Sequence, residues 1–171
     1  DLTFIQGDSI DEDLLRRDFT INTIAFSLRD ETFHQVEGAL EDLKRGVIRS
    51  VSKHSIDQDP LRMLRAFRLT HTLSLKIEEN TLKMIQKNKN LILHSAWERI
   101  RSEFFAALSE IQAGHFLRDL HQSGLMEVIF PEVKGWESFD QGIHHESPLW
   151  EHAVRTVEAG EIIFAHFQEL Y

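Results

Sequence analysis

The chain has 171 residues, of which 42% are hydrophobic and 27% charged, with a formal net charge of -9. This is the composition of a folded globular chain with one or two small cores, and it excludes disordered and collagen-like classes. Cysteine is absent, which excludes disulfides, thiolate zinc sites and a thiol nucleophile and leaves His, Asp and Glu as the only metal ligands. The negative balance argues against a general polyanion binder, whose affinity comes from neutralising phosphates. No apolar run reaches the roughly 18 residues of a membrane span. Residues Asp1 to Gln6 carry neither a basic leader nor an apolar signal core, so a cytoplasmic protein without membrane contact is expected.

In chain order, Leu2 to Ile5 reads as a short strand with nothing before it to pair with, the pattern of a chain that opens in mid-sheet. From Asp11 to Leu28 apolar residues recur mostly at helical spacing, which predicts one or two short helices. Gly38 to Lys44 is a helical turn ending near Gly46, and Val47 to Val51 is a strand. Beyond Asp57 amphipathic helices follow one another. Pro60, behind Asp59, marks the start of a helix to about Leu73. Further helices are predicted over Glu78 to Lys87, Ser95 to Leu108, Gln112 to Gln122 and Pro148 to Leu170, with a linker over Met126 to Gly142. The expected fold class is mainly α (α+β).

Charge is unevenly spread. Between Lys44 and Arg68 seven basic residues face two acids, a local net charge of +5, so an anion site survives the global average. Within it, Arg62, Arg65 and Arg68 recur at steps of three on the helix that Pro60 opens and form a stripe of guanidiniums. Such a stripe repels itself unless an anion or carboxylates offset it. With a nucleotide as that anion, removing Arg65 and Arg68 would leave stability within about 0.5 kcal/mol; the alternative is a surface helix paired with acids from its neighbours. Asp59 and Arg62, one turn apart, match the Watson-Crick edge of a base, the carboxylate accepting from an exocyclic amine and the guanidinium donating to a ring nitrogen or carbonyl. Upstream, RRDFTIN (Arg16 to Asn22) joins phosphate-matching arginines to the ribose-bonding groups Asp18 and Asn22. The same residues also fit a helix cap with solvated arginines.

Four segments together, RRDFTIN, GALEDLKRGVIRSV (Gly38 to Val51), DPLRMLRAFR (Asp59 to Arg68) and HSAWERIRSEF (His94 to Phe104), resemble in order and spacing the bacterial tRNA nucleotidyltransferase (CCA-adding enzyme) and poly(A) polymerase family, over about Asp11 to Val133. The resemblance implies the remnant of a nucleotidyltransferase head sheet over residues 1–56, a multi-helix neck and body binding RNA and nucleotide over 57–133, and over 134–171 a linker and the start of a further helical domain. It implies ATP or CTP as the nucleotide, and tRNA or another RNA 3′ end as the acceptor. It makes Arg17 the nucleotide-contacting arginine of the head, with Asp18 and Asn22 supporting sugar and turn. Asp59 and Arg62 become the base-selecting pair, Arg65 and Arg68 further nucleotide-binding arginines, and Glu98, Arg99 and Glu103 a neck motif that braces the selecting helix. C, A, CCA and poly(A) addition share these motifs and are not separated by them.

Two departures stand out. Gln58 occupies the position where the family carries Glu before the selecting Asp, removing a charge near Arg62. The paired metal-binding aspartates of the head are absent, so the chain is expected to be a fragment, inactive by itself and without metal, while the intact enzyme uses magnesium. His144, His145 and His152 lie in a stretch similar to the opening of an HD-type phosphohydrolase domain, of which His152 would be the first ligand; surface histidines are the simpler reading. A truncated HD phosphohydrolase and a non-catalytic helical RNA- or nucleotide-binding module are the alternatives to a 3′-end nucleotidyltransferase.

Overall fold

The computed structural model describes residues 4–109, 112–139 and 147–169. Its first part is built from short pieces. Helix α1 (Ile10–Leu15) is capped by the Ser9 hydroxyl on the Glu12 N–H, with three acids in its first turn to suit the helix dipole. A single 3-10 turn spans Thr20–Asn22. Strand β1 (Ile24–Ser27) then pairs antiparallel with β2 (Thr32–Gln35), in a register that sets Phe26 against Phe33. Helix α2 (Ala39–Arg45) ends on Gly46 at φ +67°, a left-handed cap that glycine adopts without a steric penalty. Strand β3 (Val47–Ile48) is short and lies parallel to β4 (Lys76–Ile77).

The second part is helical: α3 (Ser55–Gln58), α4 (Arg62–Thr72), α5 (Glu79–Asn88), a 3-10 segment over Lys89–His94, α6 (Trp97–Leu108), α7 (Ala113–Gln122), α8 (Met126–Ile129) and α9 (Leu149–Glu169). Helix α4 buries Met63, Leu64, Ala66 and Phe67, an apolar stripe at helical spacing, and each large side chain so buried contributes roughly 2 kcal/mol. That burial turns Arg62, Arg65 and Arg68 to the opposite side. Helix α9 docks on α7 through charge: Arg118 donates to Glu151 and Glu158, and Glu161 accepts from the N–H groups of Ala113 and Gly114 at the start of α7. One buried cluster runs from Phe19 and Ile21 through α4, α6 and α7 to Trp150 and Val154. No helix among the described residues is long and apolar enough to cross a membrane.

The mainly α class with a small sheet remnant is the fold observed, and the helices expected after residue 78 stand within about two residues of their predicted bounds. Four local expectations are corrected. Phe4 and Ile5 form no strand and are exposed, while Leu2 and Thr3 lie outside the described residues. The helical reading of Asp11 to Leu28 holds only for α1 and one 3-10 turn; Ile24 onward is strand, because β-branched Thr20, Ile21, Thr23 and Ile24 disfavour a continued helix and suit a pleated edge. The regular α-helical bonds of α4 start at Arg62 instead of Pro60: extended Asp59 caps the entry, its Oδ1 accepting from the Leu61 N–H and its carbonyl from the Arg62 N–H, so Pro60 and Leu61 form a tighter turn ahead of the helix. The stretch from Met126 is no plain linker: α8 and a 3-10 turn at Pro131–Val133 bury Met126, Ile129 and Val133 in the core.

Asp42 anchors the first part. Its carboxylate, buried at 3% exposure, accepts from the Thr20 hydroxyl at 2.8 Å and from two nitrogens of Arg49 at 2.9 and 3.0 Å. Burial opposes its charge, but the bonds from Arg49 and Thr20 outweigh it and hold the carboxyl below the ordinary value of 3.8. A depressed folded-state value means stability that is present above pH 3.8 and lost as pH falls through the folded value. Asp42→Asn is expected to lower unfolding free energy by about 1–3 kcal/mol near pH 7, with the gap to the unsubstituted chain closing below about pH 4 in denaturant titrations.

Candidate nucleotide-binding cleft

The loop after α1, the 3-10 turn and helix α4 enclose a polar cleft of about 390 Å³ lined by Arg17, Asp18, Asn22, Asp59, Arg62 and Arg65. Two backbone bonds place Asp18: the Thr20 N–H donates to the Arg49 carbonyl, and the Val51 N–H to the Asp18 carbonyl. Its side chain, 7% exposed, accepts on Oδ1 from the Phe19 N–H and from Asn22 Nδ2, and on Oδ2 from Arg65. Arg17 is held by Asp13 and by the Asn22 carbonyl. Asp59 Oδ2 accepts from Arg99 of α6 at 2.8 Å. Arg62 reaches back to the Ser55 hydroxyl at 2.7 Å and to the Arg16 carbonyl at 2.6 Å.

The arginine stripe is offset by carboxylates of the chain itself, the alternative that the sequence left beside a nucleotide. Glu103 of α6 accepts from Arg65 through Oε1 at 3.0 Å and from Arg68 through Oε2 at 2.9 Å, and Arg65 also donates to Asp18. Burial works against the Arg65 charge, yet Glu103 and Asp18 more than offset it and raise the affinity of its guanidinium for its proton. The stripe is thus the helix paired with acids from its neighbours for Arg65 and Arg68, and an open donor only at Arg62.

Six of the seven residues expected to bind nucleotide meet in one cleft; Arg68 lies outside its lining, behind Glu103. Of the neck motif, Arg99 and Glu103 brace cleft residues, whereas Glu98 is exposed and makes no bond to them. Ser55 and the Arg16 carbonyl escaped the sequence reading, because the helical backbone breaks at extended Asp59 between α3 and α4 and no single helical period links Ser55 to Arg62. His144 and His145 lie outside the described residues, and His152 is an exposed residue of α9.

Known proteins resemble this chain in sequence and fold. A family described as "Poly A polymerase head domain" matches residues 3–49, and one described as "Probable RNA and SrmB-binding site of polymerase A" matches residues 74–136. The A-adding tRNA nucleotidyltransferase of Deinococcus radiodurans is 33% identical over 154 residues, which is 87% of this chain and 35% of that protein. The chain belongs to the tRNA nucleotidyltransferase and poly(A) polymerase family. A CCA-adding enzyme of Lactobacillus delbrueckii is 39% identical over 74% of this chain and 32% of its own length. The structure of the Thermotoga maritima CCA-adding enzyme complexed with tRNA superimposes with a TM-score of 0.68 at 32% identity, covering 72% of this chain and 31% of that one. The chain spans about a third of the length of the relatives it matches.

Family membership implies use of a divalent metal ion. The cleft does not fit one, because both its carboxylates are committed, Asp18 to Arg65, Asn22 and a backbone N–H and Asp59 to Arg99 and the Leu61 N–H, and because three guanidiniums line it. Among the described residues no group of three or more His, Asp or Glu side chains is arranged to hold a metal ion. Binding of an anion is what the cleft offers.

Replacing Arg65 and Arg68 together by Ala is expected to destabilise the fold, because it strands the Glu103 carboxylate. With side-chain exposures of 33%, 23% and 14% for Arg65, Arg68 and Glu103, the loss should fall below that of a fully buried pair, at about 2 kcal/mol. Urea unfolding of the double variant measures it, and no change would return both arginines to the solvent.

Proposed function

We propose that this chain holds the incoming ATP or CTP of an RNA 3′-end nucleotidyltransferase acting on tRNA or another RNA 3′ end in the cytoplasm. The observation that carries this reading is the pair Asp59 and Arg62, an acceptor and a cationic donor set side by side in one cleft. Cytosine and adenine each carry an exocyclic amine beside an unprotonated ring nitrogen, so the carboxylate accepts from the first and the guanidinium donates to the second. Guanine and uracil present a carbonyl beside a ring N–H, which reverses both polarities and sets like groups face to face. Arg17, across the cleft, supplies charge for phosphate oxygens, and Asp18 and Asn22 lie where ribose hydroxyls would be met. Arg65 and Arg68 act in this reading by holding Asp18 and Glu103 in place as much as by their own charge.

The match of residues 3–49 to the head family and of residues 74–136 to the RNA-binding one supports a division of labour in which residues 1–56 belong to the head and 57–133 to a neck and body that carry nucleotide and RNA. Magnesium is our assignment for the divalent ion of the intact enzyme, held by carboxylates other than those of the cleft. The cleft's own part is to bind and orient: the base is selected, the sugar seated and the phosphates drawn toward Arg17.

Two outcomes are expected. The chain alone should bind ATP and CTP yet incorporate neither into a tRNA lacking its 3′ end in the presence of magnesium; labelled nucleotide appearing in the RNA above a protein-free control would refute this. In the intact enzyme, Asp59→Ala should shift nucleotide choice, costing ATP and CTP about tenfold or more relative to GTP and UTP, with RNA affinity little changed. Comparison of kcat/KM for the four nucleotides tests it, and unchanged discrimination would remove the selecting role.

A further inference from the structure

We propose that Ser55 is a positioning residue for base selection, setting the orientation of the Arg62 guanidinium through its hydroxyl. This inference rests on the reading of Asp59 and Arg62 as the base-facing pair. Four other arginines in or beside the cleft have a carboxylate partner: Arg17 has Asp13, Arg65 has Asp18 and Glu103, Arg68 has Glu103 and Arg99 has Asp59. Arg62 has none among the described residues. Its Nη1 donates to the Ser55 hydroxyl at 2.7 Å and to the Ser55 carbonyl at 3.3 Å, and its Nη2 to the Arg16 carbonyl at 2.6 Å. Gln58, neutral and exposed just before Asp59, makes no bond to it.

Neutral acceptors have a consequence that a carboxylate would not. A carboxylate grips a guanidinium as a fork and cancels its charge, whereas a hydroxyl and two carbonyls fix its plane and leave the charge to act on whatever enters the cleft. Ser55 is suited to this because it is 1% exposed at the start of α3 and cannot rotate into solvent. Its hydroxyl also donates to the Asp18 carbonyl at 3.3 Å, so the same oxygen links the group that faces the base to the segment that faces the sugar. Without the hydroxyl, Arg62 keeps the two carbonyls but loses the shorter of its two bonds to Ser55, and its guanidinium is free to swing about the remaining contacts. The fold loses little, since the Asp18 carbonyl still accepts from the Val51 N–H.

The test is titration of the chain and its variants with fluorescently labelled ATP, CTP, GTP and UTP, with thermal melting of each variant alongside. Ser55→Ala is expected to reduce the preference for ATP and CTP over GTP and UTP by about tenfold at nearly unchanged Tm. Ser55→Cys, of similar volume but a poorer hydrogen-bond partner, should fall between the two and carries the comparison if Ser55→Ala melts early. In an Arg62→Ala background the Ser55 substitutions should change the preference no further, because a residue acting through Arg62 has nothing left to act on. An unchanged preference in both Ser55 variants, or an equal loss for all four nucleotides, would overturn the proposal. Absence of any preference in the unsubstituted chain would instead overturn the base-selection reading beneath it.

Discussion

Arg65 donates to Asp18 on one side and to Glu103 on the other, and Glu103 receives Arg68 through its second oxygen. Of the three guanidiniums along α4, those of Arg65 and Arg68 are offset by carboxylates from two other places in the chain, while Arg62 rests on neutral acceptors. The cleft follows from that constraint. Asp18 arrives on a loop pinned to residues 49–51, Glu103 on α6, and neither is near α4 in sequence, so the site exists only when all three are assembled. Arg99, one turn before Glu103 on the same helix, then fixes Asp59 from behind. Helix α6 thus steadies both the stripe and Asp59, the carboxylate we propose to face the base.

Much of this was legible in the sequence where one period governs one element. The apolar stripe of α4 and the amphipathic α5, α6 and α7 declared themselves because their burial repeats at helical spacing. The cleft residues were legible as a set through the resemblance of four segments to the tRNA nucleotidyltransferase family; Asp59 and Arg62 one turn apart, and Arg16 to Asn22, by themselves left a capped helix with solvated arginines open. What stayed hidden depends on contacts distant in sequence. The helical period around Arg65 does not show Glu103, 38 residues away, as its partner; only the family resemblance pointed to Glu103 as a brace, and the residues themselves left a nucleotide or neighbouring acids open as the groups that offset the stripe. Ile24 to Ser27 looked helical because only pairing with Thr32 to Gln35 makes it a strand. Met126, Ile129 and Val133 looked like linker because two short turns leave no period to detect.

The cluster of buried side chains shared by the head-like and helical parts bears on how the cleft behaves in time. Phe19, just before the turn beside Asp18, and Ile21, within it, belong to the same packed cluster as Phe67, Phe116 and Trp150. Loosening the loop after α1 therefore means opening part of the common core, an event with a free energy near that of global unfolding. Amides around the 3-10 turn would exchange their hydrogens on the slow schedule of α4 and α7, unlike those of an ordinary surface loop. The cleft is in this sense pre-assembled: a ligand meets side chains already in position, and little of its binding energy is spent on ordering them.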